Sequence, residues 1–257
     1  MSNIILSFDV EEFDIPLEYN YAIPLAEQME VGKRGLDAII PIWEKYKIPT
    51  TLFTTALFAQ QYADTIKALS DTHEIASHTF YHSNFEDAHL LESKIVLEQI
   101  TGKPITGLRM PRMRKVEMSA VQAAGYTYDS SINPTFLPGR YNNFHLPRTV
   151  YRQENMVRIP ASVSPVIRLP LFWLGFKNYP YYLFLQLCKQ TLKKDGYINL
   201  YFHPWEFTNI ENYNLPNYVK KHNGKVLQER LERLINDLAN HGNFITTNQY
   251  LTQQKFI

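Results

Sequence analysis

The sequence predicts an α/β protein in which parallel strands and covering helices build a (β/α) barrel. Short apolar, β-rich runs alternate along the chain with segments of helical spacing, a pattern typical of a parallel sheet covered by helices. An open doubly wound sheet is the alternative. Such a sheet usually binds a nucleotide, but the sequence has neither a GxGxxG stretch nor a GxxxxGK stretch followed by Ser or Thr. Since 257 residues suit one barrel, we expect a single domain over residues 1–257.

The predicted strands and helices follow one another in order along the chain. Seven apolar or β-branched runs predict strands, at residues 4–8, 50–55, 74–77, 107–109, 126–129, 197–203 and 244–247. Six stretches with apolar residues at helical spacing predict helices, at residues 28–45, 56–69, 86–100, 118–124, 226–240 and 248–254. Gly125 and Gly242 follow two of these helices, where glycine is a common end signal.

Composition and charge exclude several classes of function. The net charge is +1, so no general field would draw the protein onto nucleic acid or an anionic membrane. The single cysteine, Cys188, rules out an intramolecular disulfide and fits a reducing compartment. The first apolar run is too short for a signal-peptide core, and no stretch approaches the roughly 18 apolar residues of a membrane span. We therefore expect a cytoplasmic protein with no nucleic-acid partner and no transmembrane segment.

Two carboxylates follow the first predicted strand, at the end where a barrel places its active site. Alternation along an extended chain puts Asp9 and Glu11 on one face and turns Glu12 away. Because neighbouring carboxylates repel each other, a positive group should lie between or beside them. A solvated acidic loop is the alternative interpretation.

Two histidines four residues apart, His78 and His82, follow the third predicted strand. On a helical turn they would share a face and could bind one metal ion, and neutral imidazole suits zinc. An exposed polar turn is the alternative. Together with an acidic ligand from the first strand, the pair would make a three-ligand catalytic site that leaves a position open for water.

Two further strand ends carry residues with a predicted role in the chemistry. Arg109 could pair with Asp9 and hold it ionised, whereas a solvated basic loop is the alternative. Pro111 would rigidify the turn and aim the backbone N–H of Arg112 at a developing oxyanion. His203 ends an apolar strand before a proline, and we predict that it projects into the barrel mouth as the missing acid.

The remaining polar and aromatic candidates carry weaker signals. Glu206 is either a surface residue or a group that orients a neighbour. Asp129, which ends a predicted strand, and Trp205, which follows His203, are candidate substrate contacts. The other five histidines have no partner spacing and are predicted to lie at the surface: His73, His89, His145, His222 and His241.

Four motifs occur in a familiar order: FDVEEFD, SHTFYH, RMP and LYFHPW, followed by the closing FITTNQYL. From about residue 4 to residue 251 the chain resembles the polysaccharide deacetylase family, also called the NodB-homology family. The resemblance implies a distorted, incomplete (β/α) barrel that hydrolyses N-acetyl groups on amino sugars and releases acetate. The resemblance also implies that Asp9 is the catalytic base and Arg109 its partner. It implies that a divalent metal is bound by Glu11, His78 and His82, and that His203 is the general acid.

The sequence departs from the common family pattern at two motifs. Two adjacent aspartates followed by Gly-Pro are replaced by Asp-Val-Glu-Glu-Phe, so the acidic ligand is Glu11 or, as the alternative, Glu12. The common Tyr-Gly after the third-motif proline is replaced by Arg112 and Met113. A backbone donor survives that change, but the choice of substrate is left open.

An apolar, aromatic stretch at residues 163–187 precedes the strand that leads to His203. We expect a helix at residues 183–188 and predict that Leu169–Tyr182, including Trp173 and Tyr179, forms part of the cleft wall and sets substrate choice. Plain core packing is the alternative.

Three functions stay open from the sequence. The first is deacetylation of a glycan or of a lipid- or nucleotide-linked sugar precursor. The second is hydrolysis of a small amide, cyclic imide or ureide. The third is binding by a degenerate, non-catalytic site, against which the complete predicted set of catalytic and ligand residues argues.

Overall fold

The computed structural model describes residues 2–257, which contain eleven strands and ten α-helices. The strands are β1 (Asn3–Val10), β2 (Thr51–Thr54), β3 (Glu74–Ser77), β4 (Gly107–Leu108), β5 (Tyr128–Asp129), β6 (Phe136–Leu137), β7 (Tyr141–Asn142), β8 (Tyr151–Gln153), β9 (Met156–Arg158), β10 (Tyr197–Phe202) and β11 (Asn243–Phe244). The helices are α1 (Leu25–Tyr46), α2 (Ala56–Gln61), α3 (Ala63–Leu69), α4 (Ala88–Thr101), α5 (Met118–Ala123), α6 (Trp173–Asn178), α7 (Tyr181–Asp195), α8 (Asn217–Lys220), α9 (Gly224–Ala239) and α10 (Thr247–Gln253).

Nine of the strands form one curled sheet in the order β10-β1-β2-β3-β4-β5-β9-β8, with β11 paired to the start of β1. All pairs are parallel except β8 with β9. After β9 the chain runs beside β10, where the Ser162 N–H donates to the Asn199 carbonyl at 2.8 Å. This contact brings the two ends of the sheet together without a strand pair. The predicted distorted, incomplete (β/α) barrel is confirmed.

Side-chain alternation along β1 explains how the barrel is filled. Ile4, Leu6 and Phe8 pack in the large apolar layer between the sheet and its helices. Ile5 points the other way, into a smaller interior cluster that includes Phe53 and Tyr128. Asp9 lies on the same face as Ile5, four residues further along the strand. The strand therefore delivers this carboxylate to the interior side of the sheet, at its carboxyl edge.

Helix α1 fixes the backbone at that edge because two of its glycines allow unusually close contact. A Cβ atom on Gly32 would lie 2.5 Å from the Glu11 carbonyl oxygen, and one on Gly35 would lie 2.0 Å from the Pro204 carbonyl oxygen. Both distances are too short for any real side chain. The helix thus packs directly on the segments that follow β1 and β10.

The structure differs from the predicted elements in a few places. The predicted helix at 56–69 is two helices that meet at Tyr62, whose φ of −126° is not helical. No glycine or proline marks this break in the sequence. The two-residue strands β6 and β7 form a separate antiparallel hairpin and, like the three-residue strands β8 and β9, were not predicted. Within the described chain, no helix has the length and apolar character to cross a bilayer.

Two histidines predicted at the surface, His73 and His89, are instead buried. The Nδ1 atom of His73 accepts a hydrogen bond from the Thr50 N–H, and its ring packs 5.0 Å from that of Trp43. Burial lowers the pKa of His73 to about 4. The surface prediction was wrong because histidine with an aromatic neighbour and one polar partner fits a core as well as a surface.

Candidate active site

Asp9 and Arg109 form a buried ion pair at the carboxyl edge of the sheet. An Arg109 guanidinium nitrogen donates to Asp9 Oδ1 at 2.5 Å, and a second donates to Ser7 Oγ and Ser130 Oγ, both at 3.0 Å. The same guanidinium lies 4.0 Å above the ring of Phe53. Because Arg109 is completely buried and bonded on several sides, its position fixes the orientation of the Asp9 carboxylate.

Glu11, His78 and His82 converge beside that pair. The Oε2 atom of Glu11 lies 3.1 Å from Nε2 of His78 and 3.1 Å from Nε2 of His82. All three side chains are buried. Burial opposes ionisation of Glu11, but the charges of His82 and His203 outweigh it and hold the pKa of Glu11 well below its usual range.

The hydrogen bonds of the two imidazoles show that this cluster suits a cation. His78 Nδ1 lies 2.7 Å from the Arg109 carbonyl oxygen, which can only accept, so Nδ1 carries a proton and Nε2 is the nitrogen left to bind a metal. His82 Nδ1 donates in the same way to Asp14 Oδ1 at 2.6 Å. Among the described residues, Glu11 Oε2 and His78 Nε2 are buried without a hydrogen-bond partner. When both rings are in their neutral form, a carboxylate and two imidazoles aimed at one point are a ligand set for zinc or a similar divalent metal.

Glu12, the alternative ligand, is engaged elsewhere. Its Oε2 accepts from the Thr55 hydroxyl at 2.6 Å and its Oε1 from the His82 N–H at 3.4 Å. Burial raises the pKa of Glu12. The arrangement therefore favours Glu11 as the acidic ligand.

The loop that carries the two histidines is not the helical turn that we predicted. Thr79 has a φ of 62°, and no helix spans residues 78–82. The loop is held by α2, whose first N–H groups, those of Ala56 and Leu57, donate to the carbonyls of Thr79 and Phe80 at 3.0 Å. The imidazole rings nevertheless stack at 5.5 Å, because this loop reverses the chain between them.

Asp14 is a site residue that the sequence analysis missed. Its Oδ1 orients His82, and its Oδ2 accepts from Arg112 at 2.8 Å. Arg112 also donates to Glu18 and to the His82 carbonyl, so its side chain clamps the ligand loop. The last letter of FDVEEFD was a usable signal, because metal-bound histidines usually donate their second N–H to a carboxylate.

Pro111 and Arg112 form a tight turn next to the ligand loop. Arg112 has a φ of 56° and a ψ of 20°, so its backbone lies in the left-handed region. Arg112 and Met113 line a cleft that is also lined by four of the predicted site residues: Asp9, Glu11, His82 and His203. The oxyanion role of the Arg112 N–H stays a prediction.

His203 faces Asp9 from the end of β10. Its Nε2 lies 3.9 Å from Asp9 Oδ2, and its Nδ1 lies 3.0 Å from Glu206 Oε1. The ring stacks on Trp205 at 4.8 Å and meets the edge of Trp173 at 5.2 Å. Burial opposes protonation of His203, but the carboxylates of Glu11, Glu206 and Asp9 outweigh it and raise the pKa. Glu206 is fully buried, so the surface interpretation was wrong and the orienting one holds.

The predicted substrate contacts separate into three groups. Trp173 lines the cleft together with its neighbours Phe172 and Leu174, and Trp205 also lines it while its Nε1–H donates to Glu11 at 3.0 Å. Tyr179 lies outside the cleft, in an adjoining apolar groove. Leu174 lines both the cleft and this groove.

Asp129 was wrongly predicted to contact substrate. It is fully buried, and its Oδ1 pairs with Arg158 at 2.7 Å. The two residues are register partners on β5 and β9. A carboxylate at a strand end can thus be neutralised by a basic side chain on the neighbouring strand.

Comparison with known proteins agrees with the motifs. A family model described as Polysaccharide deacetylase matches residues 28–128, and one described as a domain of unknown function, DUF3473, matches residues 130–252. The resemblance to the polysaccharide deacetylase family that the motifs predicted is confirmed over residues 28–128. Both matched regions contribute to one sheet, because β2, β3 and β4 lie in the first region and β8, β9 and β10 in the second.

Individual relatives are distant. The chain is 25% identical over 111 residues to the peptidoglycan deacetylase of Helicobacter pylori, a match that covers 39% of this chain and only 38% of that protein. The probable polysaccharide deacetylase of Pseudomonas aeruginosa PAO1 has a similar structure, with a TM-score of 0.65 and 16% identity over 96% of this chain and 88% of that one. PuuE allantoinase is similar with a TM-score of 0.63, 16% identity and the same coverage. At these identities the structural likeness concerns the fold.

Proposed function

We propose that this protein is a metal-dependent deacetylase that removes N-acetyl groups from an amino-sugar-containing substrate and releases acetate. One observation carries the proposal. One possible ligand atom each of Glu11, His78 and His82 lies within 4.8 Å of the others, beside a cleft lined by Glu11, His82, Asp9 and His203. Zinc is the metal that we expect there, with Glu11, His78 and His82 as its ligands.

A metal held by Glu11, His78 and His82 would supply Lewis acidity for the hydrolysis of an amide. Asp9, held by Arg109, takes a proton from the attacking water as a new C–O bond forms. The Arg112 N–H stabilises the negative charge that builds on the carbonyl oxygen. His203 then gives its Nε2 proton to the departing nitrogen as the C–N bond breaks, which leaves acetate and a free amine. Proton donation of this kind contributes about 10²–10⁴-fold to a rate.

The cleft wall supports an amino sugar as the substrate. Trp173 lines the cleft beside His203, and an aromatic side chain there suits the apolar side of a sugar ring. The relative from Helicobacter pylori is described as a peptidoglycan deacetylase, which agrees with a glycan. A glycan and a lipid- or nucleotide-linked sugar both fit this proposal. We also propose a cytoplasmic location, which the lone buried thiol of Cys188 supports.

The test is acetate release from a panel of N-acetylated sugars, chitooligosaccharides, cyclic imides and ureides, with and without a chelator. We expect acetate from the sugars, loss of activity with the chelator and recovery when zinc is added back. Ring opening of an imide or ureide without sugar deacetylation would favour the small-amide function instead. If zinc-loaded protein binds a sugar of the panel but turns over none of these compounds, the site is non-catalytic.

Zinc binding by the His78→Ala, His82→Ala double variant tests the metal site separately. The variant should lose zinc while keeping its fold. Wild-type zinc affinity in that variant would contradict the assignment.

A further inference from the structure

Two buried charged side chains, Lys177 and Glu206, lie behind His203 and have no role in the proposed reaction so far. Both are fully buried, and Lys177 Nζ lies 3.3 Å from Glu206 Oε2. Within residues 2–257, Lys177 has no other ion-pair partner. Burying two ions costs several kcal/mol each, and their attraction often does no more than offset that cost. The stability of the fold is therefore a weak reason for this pair.

The other oxygen of Glu206 controls His203. Oε1 accepts the backbone N–H of His203 at 2.8 Å and lies 3.0 Å from its Nδ1. An ionised carboxylate can only accept hydrogen bonds, so Nδ1 must carry a proton. The remaining nitrogen, Nε2, then faces Asp9 and the cleft. One carboxylate thus fixes both the tautomer and the direction of the ring.

Lys177 supplies the charge that keeps this carboxylate an acceptor. Its Nζ lies beside two indole rings, 6.0 Å from the centre of the Trp173 ring and 5.9 Å from that of Trp205. Without a cation beside it, a fully buried carboxylate gains by taking up a proton, and it would then no longer be an obligatory acceptor for Nδ1–H. Lys177 lies four residues after Trp173 on α6. One short helix therefore carries both a side chain of the cleft wall and the cation that lies behind His203.

We propose that Lys177 and Glu206 are positioning residues that act together through His203 on the protonation of the leaving nitrogen. This inference rests on the proposed deacetylation. It makes a selective prediction, because only a leaving group that needs a proton depends on the orientation of His203. Damage to the fold or to the metal site would slow every substrate alike.

The kinetic test compares two probes in wild type, Lys177→Met, Glu206→Gln and Glu206→Leu. With N-acetylated chitooligosaccharide, kcat should fall at least tenfold in Lys177→Met and Glu206→Leu and less in Glu206→Gln, whose carbonyl can still accept from Nδ1. KM and zinc content should change less than twofold. With 4-nitrophenyl acetate, whose leaving phenolate needs no proton, kcat should stay within twofold. Equal losses on both probes, or no loss on the amide, would overturn the proposal.

Arg148→Met is the matched control, because it breaks a second mostly buried ion pair, with Asp195, that does not line the cleft. It should leave the ratio of the two activities unchanged. A change in that ratio as large as in Lys177→Met would also overturn the proposal.

A second measurement does not depend on activity. In protein labelled with ¹⁵N-histidine, at a pH where the His203 ring is neutral, the proton should reside on Nδ1 in wild type. A proton on Nε2 would refute the positioning role even in an active deacetylase. If the proton is on Nδ1 but the protein deacetylates none of the substrates, the proposed function is contradicted while the positioning of His203 by Glu206 is supported.

Discussion

Replacing Asp14 by alanine should weaken zinc binding about 10–100-fold without removing any ligand. The Asp14 carboxylate accepts the Nδ1–H of His82 at 2.6 Å and so directs the Nε2 lone pair toward Glu11. A hydrogen bond to a charged group is worth about 1.5–3 kcal/mol. That range equals a factor of roughly 10–150 in a binding constant, and it agrees with the typical effect of removing a carboxylate behind a metal-bound histidine.

Competition for zinc against a chromophoric chelator measures this effect, with thermal unfolding as the check that the variant is folded. Glu18→Gln is the control, because Glu18 is the other partner of Arg112 but does not touch His82. Its zinc affinity should stay within twofold of wild type. If Asp14→Ala binds zinc as tightly as wild type while His82→Ala does not, the orienting role of Asp14 is refuted.

Four more variants test the site and the core. Asp9→Asn should abolish turnover and keep zinc, because the carboxylate is the proposed base and not a ligand; an active Asp9→Asn enzyme would contradict the mechanism. His203→Ala should lower mainly kcat, measured at saturating substrate, since the acid acts after substrate is bound. Trp173→Ala should raise KM with zinc content unchanged; a lower melting temperature with an intact kcat/KM would show core packing instead. The pKa of His73 is about 4 in the folded protein, against 6.5 for an ordinary histidine. Its contribution to stability is therefore complete above pH 6.5 and is lost as the pH falls toward 4. Urea unfolding at pH 7 and pH 4.5 should therefore show wild type losing about 2–3 kcal/mol more than His73→Gln, and equal losses would refute this.

The arrangement of the catalytic candidates was predictable because parallel strands end at one edge. Asp9, Arg109 and His203 come from three strand ends, and the rule that barrels use their carboxyl edge brings them together without knowledge of any contact. The fold class followed from the same alternation of strands and helices. Short elements such as β6 and β7 were not predictable, because two residues carry too little periodicity.

The supporting residues were not predictable, because their roles depend on partners that are distant in sequence. Asp14 and His82 are 68 residues apart in the sequence. Lys177 and Glu206 are in contact although α7 and β10 lie between them in the sequence. The spacing of His78 and His82 correctly predicted that their rings lie together but wrongly predicted a helix, since a loop that reverses the chain can also bring positions four apart together. Asp129 and Asp9 are both aspartates at strand ends, so the sequence could not show that only Asp9 lies in the site. Asp129 is instead neutralised by Arg158 on the neighbouring strand.

The two glycines of α1 have a consequence for redesigning the enzyme. Gly32 and Gly35 set the distance between the segment that carries Glu11 and the turn that follows His203, because backbone touches backbone at both points. Any larger residue on that face would push the two segments apart together. A protein engineer who wants a new substrate should therefore leave α1 untouched and vary the hairpin around Leu137, which lines the cleft but carries none of the proposed catalytic or ligand residues. The fold thus separates a part that can be varied from a part that cannot.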